Sequence, residues 1–331
     1  MKGQRPHKDN ACSGRYADWL EVLLTPDCNG GCAWCVERQG WHPEARASWR
    51  DLLGAAVKSG ESTVMLLGGE PTLYTDLKAL MAGLGQARKL IGITTNASKL
   101  TPEWVRENLA GVSKVNLSIH RYHLAVNKEI TGIQLDRVTL RESIAELHKM
   151  GAPVRLNCNV IKGRIDDRSK AEIYIEVARD LGADAVRFAE LKHDADMFRS
   201  LADMFHHQHG LNADPFTLGC AKDAVIHDMP VNFRQMCGFQ NPLRPTPDNP
   251  IWPRAKHVLY YDGIIYDGWQ TRGGNDMRRA KMAKVIQAAI DGVITAEEAA
   301  KKIKPDEEQP DKKKGKRLPV VPASSGGYCS Y

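Results

Sequence analysis

Apolar runs and amphipathic stretches alternate along the first two thirds of the chain. Residues 19–25 read as a first strand, followed by a Cys- and Gly-rich loop over 26–35. Residues 44–59 have helical spacing, Thr63–Leu67 reads as a second strand and 73–84 as a helix, and Leu90–Thr95 reads as a third strand. Thr101 and Pro102 open the next helix with a cap and a proline in its first turn. Strands follow over 114–119, 154–160 and 185–191. The helices between them, 135–150 and 167–181, are closed by Gly151 and Gly182. Strands this apolar belong in a parallel sheet covered by helices. The β/α units number six, too few for a closed eightfold barrel. The expected fold is therefore α/β, a partial (β/α)6 TIM-type barrel, with its functional residues at the C-terminal ends of the strands.

The alternation stops near residue 211. A small C-terminal extension is expected over 211–276, with a hairpin in which 257–261 and 264–266 flank Asp262-Gly263. Basic helices over 277–304 and a Lys-, Pro-, Ser- and Gly-rich tail over 305–331 complete the plan, with 1–16 as an N-terminal segment and 17–210 as the barrel.

Composition places the chain among ordinary folded proteins: 42% hydrophobic and 26% charged residues over 331 positions. No apolar run spans a membrane and no secretory pattern opens the chain, so a cytoplasmic protein without membrane contact is expected. The net charge of +6 is unevenly placed. Residues 278–317 hold 12 basic and 7 acidic groups, whereas the rest holds 34 and 33. The plain reading of this excess is a solvated helix and tail; the sharper one is contact with a phosphate-bearing partner such as nucleic acid.

Eight cysteines in a cytoplasmic chain direct attention to metal chemistry. Cys28, Cys32 and Cys35 fall within eight residues, just after the first strand. Three local thiolates with no fourth nearby suit a [4Fe–4S] cluster with one iron left open. Structural zinc sites pair two Cys/His couples instead, and no second couple matches here. Cys12 and Cys158 read as free thiols, Cys158 facing the core. His206, His207 and His209 read as an exposed helix end rather than a metal site.

With Gly68-Gly69-Glu70-Pro71 after the second strand, the Cys-x₃-Cys-x₂-Cys loop resembles the radical S-adenosylmethionine (radical SAM) superfamily over residues 17–192. The resemblance implies an enzyme that reductively cleaves S-adenosyl-L-methionine at the cluster to a 5′-deoxyadenosyl radical, which abstracts a substrate hydrogen atom. It implies cofactor contacts at Trp34, Gly68, Gly69, Glu70, Pro71, Thr95, Asn96, Ser118 and Asn157. It also implies an electron donor such as flavodoxin or ferredoxin. Glu190, His120 and Arg155 are candidates for a catalytic role.

The segments 115–120, 129–132, 154–157 and 186–191 look like the GTP 3′,8-cyclase branch of the superfamily. Departures set the chain apart. Glu21 and Met65 stand where the resemblance implies arginines for GTP, and Arg155 replaces a lysine. The branch's second-cluster spacing is absent and Asp267 stands where a cysteine is usual; a second iron–sulfur cluster on Cys220, Cys237 and Cys329 is left open. The expected substrate is a small molecule or nucleotide, rearranged, cyclised or modified. The alternatives are modification of a nucleic-acid base and, from another class, a non-catalytic metal-binding interaction module.

Overall fold

A computed structural model describes residues 19–39, 42–191, 196–211, 221–235, 257–267 and Thr295. Chain contacts divide the protein into units 1–272 and 273–331, and apart from Thr295 the described residues all belong to the first. Cys12, Cys220, Cys237 and Cys329, the basic helices and the tail lie outside the described residues.

Among the described residues, the first unit is built on a ten-stranded sheet. In chain order its elements are β1 (Trp19–Leu23), α1 (Val36–Gln39), α2 (Trp49–Lys58), β2 (Thr63–Leu67), α3 (Leu77–Gln86), β3 (Leu90–Thr95), α4 (Pro102–Asn108) and β4 (Val112–Ser118). They continue with α5 (Leu124–Thr131), α6 (Arg137–Lys149), β5 (Val154–Asn159), α7 (Arg168–Leu181), β6 (Ala185–Ala189) and α8 (Leu201–Met204). The last are β7 (Ala221–Ile226), β8 (Met229–Arg234), β9 (His257–Leu259) and β10 (Ile265–Asp267). Strands β1 to β6 lie side by side in parallel, as the alternation predicts, and form the partial barrel.

Two hairpins extend this row. In β7–β8, β8 runs parallel to β6; in β9–β10, β9 runs parallel to β1. The second hairpin is the expected one. The first was not legible: its turn, His227-Asp228, has positive φ at both residues and lacks the usual Asn-Gly or Asp-Gly signal.

Side-chain alternation gives the sheet two unlike faces. Leu20, Val22, Val64, Leu66, Ile91 and Ile93 on β1 to β3 are buried against the helices, as are Val115, Leu117, Leu156, Val186 and Phe188 further along. The intervening positions line the inner face of the barrel. Thr101 caps α4 as the sequence implies, Ser48 and Asp51 form a capping box on α2, and Asp136 and Asp167 cap α6 and α7. Gly182 ends α7 in the left-handed conformation. Among the described residues no helix is long and apolar enough to cross a membrane.

Candidate active site

The cysteine loop leaves the C-terminal end of β1 and is held from several sides. Gly30 N–H donates to Cys28 Sγ at 3.2 Å, and Arg38 Nη2 donates to the Gly30 carbonyl at 2.8 Å. Gly31 N–H donates to the carbonyl of Thr131, the last residue of α5, at 2.6 Å. Gly132 follows with φ of 75°, and a side chain there would stand 3.3 Å from Gly31 N. Cys28 is exposed, and Cys32 and Cys35 are half-buried. Burial pushes the Cys32 thiol up to about 11, and negative charge on Cys35 and Cys28 adds to the rise. Burial also raises Cys28, opposed by the Gly30 N–H. Thiolates that repel one another in this way suit a shared cation. Among the described residues no three His, Cys, Asp or Glu side chains converge on one point as a single metal ion requires. A cubane cluster takes each thiolate at a different iron, so this donor set fits it.

The glycine pair after β2 explains how the second motif reaches the first. Gly69 N–H donates to Thr25 O and Glu70 N–H to Asp27 O, both at 2.7 Å. A side chain on Gly69 would overlap the Asp27 and Pro26 carbonyls. This close approach requires glycine. Glu70 is 1% exposed and its carboxylate is used internally. Oε1 accepts from Thr72 N and from the Thr72 and Thr95 hydroxyls, and Oε2 accepts from Asn96 N at 2.7 Å. Asn96 Nδ2 donates to Asn29 Oδ1 at 2.9 Å. Besides the cofactor contacts expected of them, Glu70, Thr95 and Asn96 lock the ends of β2 and β3 to the cysteine loop. Buried carboxylates take such bonds in preference to remaining bare. Pro71 opens the 3-10 turn 71–73.

Two catalytic candidates, Glu190 and His120, are buried. Glu190 shares the helix-facing side with Val186 and Phe188, and its Oε1 accepts from Leu201 N at 2.8 Å, at the start of α8. Strand parity turns it away from the inner face. His120 is buried, and burial pushes it down to about 4. Its Nδ1 accepts from Asn159 N at 3.1 Å, so the ring is neutral with its proton on Nε2 and offers no free base. Trp34 meets it edge to face, with ring centroids 5.3 Å apart. Nearby, burial raises Glu37 to about 7, and His42 Nδ1 lies 3.4 Å from its Oε1. His206, His207 and His209 are exposed, as expected.

Arg155 does lie on the inner face, and it has company the sequence reading missed. Lys114 on β4, Arg187 on β6 and Arg234 on β8 occupy the same face. Arg155 Nε donates to Asn157 Oδ1 at 2.9 Å. Arg187 Nε donates to Asn232 Oδ1 at 2.7 Å, and Asn232 Nδ2 donates to Asp223 at 2.6 Å. Both guanidiniums are oriented through Nε, while no described residue bonds their Nη groups. Burial and neighbouring positive charge lower Arg155 to about 10 and Arg187 to about 9; burial followed by the same arginines lowers Lys114. For two of them the signal was present in the alternation, since Arg155 and Arg187 sit between apolar residues in Val154-Arg155-Leu156 and Val186-Arg187-Phe188. Glu21 and Met65 face inward from β1 and β2, and an apolar group of Leu23, Val258, Tyr260 and Tyr261 lies on that flank. Ser118 is on the inner face next to Asn157.

Residues 22–171 match the protein family described as the Radical SAM superfamily. The GTP 3′,8-cyclase of Listeria monocytogenes is 27% identical over 344 residues, covering 93% of this chain and 97% of the cyclase. A probable GTP 3′,8-cyclase of Saccharolobus solfataricus is 34% identical over 184 residues, covering 54% of this chain and 58% of its own. The crystal structure of Streptococcus suis SuiB shares the fold, with a TM-score of 0.52 at 17% identity, covering 76% of this chain and 60% of SuiB. This chain therefore spans less than two thirds of that structure. Family match and strand order agree: residues 22–171, from β1 into α7 of the barrel, match the radical SAM superfamily, enzymes that work with a [4Fe–4S] cluster and S-adenosylmethionine.

Proposed function

We propose that Cys28, Cys32 and Cys35 hold the cluster and that Trp34, Gly68, Gly69, Pro71, Ser118 and Asn157 receive S-adenosylmethionine. We further propose that the substrate is a phosphate-bearing small molecule of the nucleotide class. When bound, cluster and cofactor supply a one-electron cleavage giving a 5′-deoxyadenosyl radical that removes a substrate hydrogen atom. The protein's own part is placement. Glu70, Thr95 and Asn96 hold the rim rigid, and Trp34 and His120 wall the loop against water. Exposed Cys28 marks the side open to a flavodoxin- or ferredoxin-type donor.

One observation carries the substrate reading: the inner face holds Lys114, Arg155, Arg187 and Arg234 against the lesser negative charge of Asp223 and Glu21. Clustered cations in a water-poor site are costly unless an anion joins them, and Nη forks oriented through Nε suit phosphate. The similarity to GTP 3′,8-cyclases favours a nucleotide. Glu21 and Met65, where that resemblance implies arginines, favour fewer phosphates than GTP carries.

The test is anaerobic reconstitution, iron analysis, and incubation with S-adenosylmethionine and a reductant. The expected result is about four irons per chain and 5′-deoxyadenosine that is lost in Cys32→Ala. Nucleoside monophosphates and diphosphates should stimulate it more than the matching nucleosides. Equal stimulation by nucleosides would remove the phosphate reading, and 5′-deoxyadenosine unchanged by Cys32→Ala would remove the ligand assignment.

A further inference from the structure

We infer that α5 and the turn before it form a bracket that presets the cysteine loop, with Asn127 as its central positioning residue. This rests on the cluster assignment above but concerns the loop itself. The loop contains Asn29, Gly30 and Gly31, a run with large backbone freedom. Besides the loop's bonds to Arg38 and Asn96, α5 and the turn before it touch the loop at two points: Gly31 N–H donates to Thr131 O at 2.6 Å, and Trp34 meets the His120 ring.

A single buried side chain joins those two points. Asn127 is 1% exposed. Its Oδ1 accepts from His120 N at 3.1 Å, and its Nδ2 donates to Thr131 Oγ1 at 3.0 Å. Thr131 Oγ1 in turn donates to Asn127 O at 2.8 Å, fixing the last turn of α5. The His120 ring is tied through Nδ1 to Asn159 N on β5, the strand that also carries Arg155. The bracket thus refers the loop to a strand of the inner face. Hydrogen-atom transfer needs the reacting groups in close contact, so a fixed distance between loop and inner face matters to rate.

The test uses the full chain with Asn127→Ala, Thr131→Val and Thr131→Ser. In the reduced, metal-free protein, alkylation of Cys32 is followed by mass spectrometry. Loss of a linking hydrogen bond should speed it about tenfold in Asn127→Ala and Thr131→Val, while Thr131→Ser keeps the wild-type rate. After reconstitution, the electron paramagnetic resonance spectrum of the reduced cluster with S-adenosylmethionine should broaden in the first two variants only. Should Asn127→Ala fail to fold, Thr131→Val carries the same expectation, with far-UV circular dichroism as the control. Wild-type alkylation rates and spectra in the folded variants overturn the bracket. If the wild type assembles no cluster but the alkylation difference appears, the bracket stands and the cluster assignment falls.

Discussion

His120 shows how burial decides a residue's role. Its folded pKa of about 4 lies below the unfolded value of about 6.5. The unfolded chain therefore binds the proton first as pH falls, and stability from neutral His120 is complete above about pH 6.5 and lost down to about pH 4. Glu37, raised to about 7, runs the opposite way and loses stability as pH rises from about 4.5 to 7. Comparison with His120→Gln separates the two. Between pH 7.5 and 4.5, urea melts should show the wild type losing about 2–3 kcal/mol more than the variant; equal losses would refute a depressed His120. At this scale the sequence showed the cysteines but not the fate of the carboxylates. Glu70 and Glu190 carry the same group, and only tertiary contacts decide that each is used by main-chain N–H donors.

Among elements, the six β/α units were legible because buried strands and capped helices leave strong periodic marks. The β7–β8 hairpin and α5 were not. β7 alternates half-buried and exposed positions beside an unusual turn, and α5 starts at His123 with no side-chain cap. The glycine turn after β2 gives a direct test of how elements place the site. Gly69→Ala puts a methyl group onto the Asp27 and Pro26 carbonyls. It should cost about 1–3 kcal/mol by overpacking and weaken S-adenosylmethionine binding in calorimetry. Gly54→Ala in α2 is the control. Nothing stands within 4 Å of its new methyl group, and it should stabilise by about 0.5–1 kcal/mol without affecting binding. Wild-type binding by a folded Gly69→Ala would separate the turn from the cofactor.

Across the whole molecule, net charge conceals where charge acts. Outside 278–317 the chain is nearly neutral, with 34 basic and 33 acidic groups, yet cations from four strands meet on the inner face. That arrangement sets stability against binding. The inner-face cations repel one another in the ligand-free protein, so Arg187→Gln should raise its stability by on the order of 1 kcal/mol. An anion that binds only the folded state reverses the order. Pyrophosphate at about a hundred times its Kd should stabilise the wild type by about 2.7 kcal/mol and the variant much less. Thermal melts of both proteins across a pyrophosphate series therefore cross: the variant melts higher without the anion and the wild type with it. Parallel curves at every concentration would mean that the inner-face cations are neutralised within the protein and await no anionic substrate.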